Sequence, residues 1–106
     1  MLFLVPSSGP SRVEANATSS TTIVVRWGDI PLEDHNGILE GYKVYYGSKH
    51  IKFQYQDVQS NLTHTTTLTE LNKYTSYHIQ VLGYTRVGDG ALSHPPVVIQ
   101  THDDRK

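Results

Sequence analysis

The chain has 106 residues, 37% hydrophobic and 18% charged, with a formal net charge of -1 and no cysteine. That length makes one domain with a core of its own, and the lack of cysteine excludes disulfides, thiol catalysis and thiolate metal centres. Near-neutral charge lacks the basic stripe that a phosphate backbone selects, so no nucleic-acid partner is expected.

In chain order, Met1 to Ser8 reads as a linker or cloning remnant, with Met1 a cloned start. Its apolar run, Leu2 to Val5, is far short of the roughly 20 residues of a membrane span or the about 7–15 of a secretory leader. No direct membrane contact is therefore expected. A single domain is expected over residues 9–101, and residues 102–106 read as a charged tail or inter-domain linker. A weak strand is predicted from Arg12 to Ala17. Thr22 to Trp27 alternates strictly, with Ile23, Val25 and Trp27 on one side, the mark of a strand with one buried face. A long acidic loop follows from Asp29 to Gly37 and carries Ile30 and Leu32.

Gly41 to Tyr46 alternates again, turning Tyr42, Val44 and Tyr46 inward and Lys43 and Tyr45 outward. Gly41 is expected at a bulge or a close backbone approach. Gln54 to Val58 and Thr65 to Leu68 are weaker strands. Tyr77 to Leu82 turns Tyr77, Ile79 and Val81 inward, leaving His78, Gln80, Leu82 and Tyr84 outward. Val97 to Thr101 closes the series. Gly37, and Gly88 or Gly90, are expected to supply positive φ in turns. No window holds an apolar 3.6-residue period, so no helix is predicted. Seven short strands separated by Gly, Pro and Asn turns predict an all-β, seven-stranded antiparallel two-sheet sandwich.

Chemistry-bearing patterns are sparse. The six histidines have no two- or four-residue offset of a chelating pair, so no metal is expected. Glu33-Asp34 and Asp103-Asp104 are adjacent carboxylates that point into solvent instead of converging on a pocket. No nucleophile elbow or phosphate loop is present; no cofactor and no enzyme activity are expected. Asn16-Ala17-Thr18 and Asn61-Leu62-Thr63 are N-glycosylation sequons. Asn61, in a predicted loop, is the better acceptor, and Asn16 is expected to be partly shielded at its strand end. Candidate protein contacts fall in two groups. Ile30 and Leu32 share an end of the sandwich with Arg86 and Asp89, and Tyr45 and Tyr84 stand on an outward sheet face, where aromatics with polar tips suit interfaces.

Trp27, then Tyr42-Lys43-Val44-Tyr45-Tyr46, then Leu71 to Val81 with Thr75 and Tyr77, resembles the fibronectin type III domain. Asn36-Gly37-Ile38 and Gly88 to Ser93 fit the same pattern, which covers roughly residues 10 to 101. Lys73 departs from it, standing where the family has proline. The resemblance implies an immunoglobulin-like sandwich anchored by Trp27, Tyr42, Val44, Leu71, Tyr77, Ile79 and Val81. Tyr77 fits the tyrosine corner, its hydroxyl bonding to backbone near Leu71 or Lys73. It lies nearest to the domains of neural adhesion molecules and receptor tyrosine phosphatases. That implies a non-catalytic interaction and spacer module in the extracellular part of a plasma-membrane protein, contacting neighbouring domains of its own chain and a protein ligand. Arg86 and Asp89 do not form the contiguous Arg-Gly-Asp tripeptide, so integrin binding is not implied. The alternatives are a module of an intracellular muscle or cytoskeletal protein, or an accessory domain of a secreted carbohydrate-active enzyme.

Overall fold

The computed structural model describes residues 4–103; Met1 to Phe3 and Asp104 to Lys106, the outer parts of the two predicted end segments, lie outside the described residues. Strands β1 (Glu14–Ala17), β2 (Ile23–Arg26) and β5 (Thr65–Leu68) form one antiparallel sheet in the order β1-β2-β5. The second sheet orders β4 (Gln54–Val58), β3 (Gly41–Gly47) and β6 (Ser76–Thr85). Both β7 (Gly88–Asp89) and β8 (Val97–Gln100) pair with the far side of β6. The sandwich is thus the expected one, with one strand more than the seven predicted: β7 lies in the segment read as a turn around Gly88 and Gly90, and with β8 it divides the far edge of β6.

The division has a local cause. Pro95 and Pro96 cannot donate to a ladder, and Ser93 takes over just before them. Its N–H donates to Val81 O at 2.8 Å, its hydroxyl accepts from Val81 N at 2.9 Å, and its carbonyl accepts from Gln80 Nε2 at 2.9 Å. One departure from the helix-free expectation is a single 3-10 turn at Leu32–Asp34 in the long acidic loop.

Alternation sets the core. Ile23, Val25 and Trp27 face Tyr42, Val44, Tyr46, Tyr77, Ile79 and Val81 across the two sheets, and all are buried with Leu68, Leu71, Ile30 and Leu39. Each such aliphatic or aromatic side chain stabilises by about 1.5–3 kcal/mol relative to exposure. The register pairs Val44 with Val81 and Tyr46 with Ile79, so inward positions of β3 and β6 coincide. Tyr77 closes the turn before β6, its hydroxyl accepting the Asn72 N–H at 2.8 Å. Thr101 locks the same turn from the chain's end, donating to Asn72 O at 2.7 Å and accepting from Thr75 N at 2.9 Å.

Several local expectations give way. Leu82, expected outward and wet, is only 4% exposed although it stands outside the main core cluster. At the Asn36-Gly37 turn the left-handed residue is Asn36, with φ 57°, and not the glycine. Asparagine tolerates that region, and its side chain donates to Val5 O at 3.1 Å. Of Gly88 and Gly90, Gly88 has the positive φ, at 159°; a Cβ on Gly90 would lie 2.6 Å from Pro6 Cβ, so its role is close approach. Those two contacts belong to a larger difference: residues 4–8, read as linker, are docked on the domain. Pro6 is fully buried, its carbonyl accepts from Ala91 N, Ser7 N donates to Asp34 O, and the Thr85 hydroxyl donates to Leu4 O. A short Pro-Ser-Ser stretch looks like linker by composition, and only the folded partners reveal its hydrogen bonds.

Candidate protein-contact surfaces

The outward face of the five-stranded sheet gathers charge and aromatics around Lys43. On alternate outward positions, Lys43 lies across from Asp57 of β4 and Tyr45 across from Tyr55. The ammonium of Lys43 sits 4.7 Å from the Tyr55 ring centre and 5.6 Å from that of Tyr84. Asp89 Oδ1 approaches it at 3.0 Å. Tyr45 stacks on Tyr55 at 5.2 Å with a 41° tilt, and the Tyr84 hydroxyl donates to Asp57 Oδ1 at 2.8 Å. Gly41 makes this possible: a Cβ there would come within 2.6 Å of Tyr84 Oη. The close approach expected at Gly41 is therefore the crossing of a tyrosine over β3.

Each contact is small, about 0.5–1 kcal/mol for an exposed cation–π pair and about 0–1 for a surface ion pair. Together they order a surface whose aromatic members have few rotors left to freeze when a partner arrives. The cluster also shifts proton affinities. Hydrogen bonding to Asp89 raises the Lys43 ammonium, opposed by partial desolvation. Desolvation, then the bond to Asp57, pushes the Tyr84 phenol up to about 12. Since the folded phenol holds its proton more tightly than the unfolded one, whose pKa is about 10, its contribution to stability is complete below pH 10. That contribution drains away as pH rises from 10 to about 12. Absorbance titration should show Tyr84 among the tyrosines that ionise late, and Tyr84→Phe should remove its step together with its part of the alkaline loss of stability.

The second surface is the pole where residues 4–8 dock. Leu32 and Ile38 are each 81% exposed and Leu62 84% exposed. They rim a cleft of about 660 Å³ whose floor includes Ile30, Leu39 and Tyr42. A second recess of about 410 Å³ runs on from Ile38 to Leu4, Arg86 and Val87. Below the first cleft, His64 Nε2 lies 2.9 Å from Asp29 Oδ1 and 3.3 Å from Tyr42 Oη. The rings of Trp27, Tyr42 and His64 pack with centres 5.4–6.5 Å apart. Burial, and then the charge of Asp29, raises the Tyr42 phenol.

The predicted contact residues thus divide. Asp89, Tyr45 and Tyr84 come together on the sheet face, whereas Leu32 and Arg86 belong to the pole. Ile30 is corrected: at 1% exposure it is core, because Gly83 opposite leaves room for its Cδ1. Asn61 is exposed on the pole, its amide donating to Leu39 O at 3.1 Å. Asn16, expected to be partly shielded, is exposed on edge strand β1. Of the acidic pairs, Asp34 is structural, accepting from the Ser8 hydroxyl at 2.9 Å, and Asp104 lies outside the described residues. No role was expected for His64, whose only reading from sequence was as one of six histidines without chelating spacing. A faint signal existed in its place just before β5, where its carbonyl takes the Trp27 N–H at 3.0 Å.

Comparison with known proteins bears on the same architecture. The model of the fibronectin type III domain matches residues 8–99. This chain belongs to the fibronectin type III family. It is 55% identical to Protein sidekick of Drosophila melanogaster over 102 residues, and 48% identical to Protein sidekick-2 of Mus musculus. It is 40% identical over 103 residues to the cell adhesion molecule DSCAM of Gallus gallus. Each match takes in 94% of this chain but 5% of the relative, so the chain spans about one-twentieth of the curated relatives it matches. Among solved structures, the FN1-FN3 domains of chicken CNTN1 superpose with a TM-score of 0.82 at 31% identity, over 92% of this chain and 32% of that one. The FN5 domain of Drosophila Lar gives 0.74 at 29%, over 93% and 99%.

Proposed function

We propose that this fibronectin type III domain is a non-catalytic spacer and protein-contact module of a multidomain adhesion protein at the cell surface. The observation that carries the reading is its match, along almost the whole domain, to modules of adhesion molecules about twenty times its length. The fold suits the role. Residues 4–8 are fastened to the pole of the long acidic loop and the β6–β7 turn. His102 is fastened at the opposite pole, its N–H donating to Ser19 O and its carbonyl accepting from Tyr74 N. Neighbouring domains of the same chain would then be held in line with little play. The ordered tyrosine face beside β4 is the side presented to a protein ligand, since Tyr55 and Phe53 there remain about half exposed.

The test uses the full-length protein displayed on otherwise non-adherent cells. Tyr45→Ser with Tyr55→Ser should leave folding and surface delivery intact and weaken partner binding by about tenfold or more, as loss of aromatic anchors does. Undiminished binding would remove the sheet face as the contact, and failure of the unmodified protein to reach the surface would remove the cell-surface reading.

A further inference from the structure

We propose that Asn61 is an N-glycan acceptor and that the first N-acetylglucosamine lies over the apolar cleft rimmed by Leu32, Ile38 and Leu62. The idea rests on the cell-surface reading, because the modification requires passage through the secretory pathway. Transfer joins Asn61 Nδ2 to the anomeric carbon of a diphospholipid-linked oligosaccharide. The anomeric C–O bond breaks, the diphosphate leaves with the electron pair, and one amide proton is released.

Three features of the pole carry the inference. Asn61, Leu62 and Thr63 are all exposed, in the connection between β4 and β5 and outside any ladder. Next, the Asn61 amide is already held by its bond to Leu39 O at 3.1 Å. Glycosylation replaces one amide hydrogen and leaves the other, so that bond can survive and fix the direction in which the sugar departs. Finally, Asn61 and Leu62 are themselves walls of the cleft, whose volume of about 660 Å³ is within the range that takes small ligands. Three neighbouring aliphatic side chains each more than 80% exposed make a patch that soluble surfaces usually cover or use. The C–H face of a pyranose and its N-acetyl methyl match such a surface, and tethering through Asn61 removes most of the entropy cost of placing them there. Asn16 supplies an internal comparison, since it stands on the outward side of β1, opposite Val24 and away from this pole.

The experiment secretes residues 1–106 from eukaryotic cells as an Asn16→Gln variant and trims the glycan to a single N-acetylglucosamine. Peptide mass spectrometry should find Asn61 occupied in most molecules. Nuclear Overhauser contacts should link the sugar to the methyls of Leu62 and Ile38. Thr63→Ala blocks transfer while keeping Asn61 and its bond to Leu39, and should melt about 4 °C lower than the trimmed glycoprotein. An unoccupied Asn61 would overturn the proposal, as would an occupied one with no sugar–methyl contact and an unchanged melting point. These readouts concern the secreted domain alone, so their failure is distinct from a failure of the full-length protein to reach the cell surface.

Discussion

Replacing Trp27 with alanine should lower the unfolding free energy by about 3–5 kcal/mol, the cost of deleting a large buried ring and leaving its cavity. The magnitude follows from position. Trp27 is 4% exposed, reaches across from the three-stranded sheet, and packs at 5.4 Å against Tyr42 of the other layer. It also supports His64 at 6.5 Å, and with it the floor of the apolar cleft at the pole of the long acidic loop. Since domains of this size are stable by only about 5–15 kcal/mol, the melting point should fall by about 15 °C or more. Trp27→Phe sharpens the test. The indole Nε1 is buried without a hydrogen-bond partner among the described residues, so phenylalanine loses volume but also removes an unsatisfied donor. Denaturant melts should therefore place Trp27→Phe well above Trp27→Ala. If the two coincide, the ring is not the anchor its packing indicates.

The layers of the sandwich were legible because they are encoded by the shortest-range signal available. Ile23-Val25-Trp27, Tyr42-Val44-Tyr46 and Tyr77-Ile79-Val81 each alternate with period two, and each inward trio is buried. A strand has only two faces, so pattern and burial coincide without knowledge of the partner strand. Leu82 breaks the rule for a reason outside β6. It lies on the outward face, opposite Lys43, and is nonetheless covered, which alternation along one strand cannot register. The docked segment from Leu4 to Ser8 was invisible on the same grounds. Its hydrogen bonds run to Asp34, Asn36, Thr85 and Ala91, at separations of 26 to 85 residues, and Gly90 is small to admit Pro6 and not to turn the chain.

The contact surfaces were legible in part. Outward placement of Tyr45 and Tyr84 followed from alternation, but their organisation around Lys43 depends on the β3–β4 register and on the space Gly41 leaves. Register is set by pairing across strands, which a single sequence does not display. At the pole, loop composition suggested Ile30 and Leu32 as equals. Two residues apart in a loop, they carry no periodicity to tell inside from outside.

That pair gives the second large effect. Ile30→Ala should cost about 2–5 kcal/mol, since Ile30 is 1% exposed and its Cδ1 fills the space over Gly83. Its carbonyl also accepts from His35 Nε2 at 2.8 Å, so the loop is folded around the isoleucine and cannot close over the void cheaply. Leu32→Ala, at 81% exposure, should change stability by no more than about 0.5 kcal/mol. Measured by equilibrium unfolding, the contrast isolates burial from hydrophobicity, because both substitutions remove aliphatic carbons from one short loop. Filling the site from the other side is the complementary variant. Gly83→Ala places a Cβ 2.6 Å from Ile30 Cδ1 and 2.8 Å from Leu39 Cδ1, and should destabilise by about 1–3 kcal/mol through overpacking. Combined with Ile30→Ala, the added methyl meets vacated space, so the double variant should lose less than the sum of its parts. Strict additivity would mean that the two side chains do not share that volume, and the assignment of Ile30 to the core would fail.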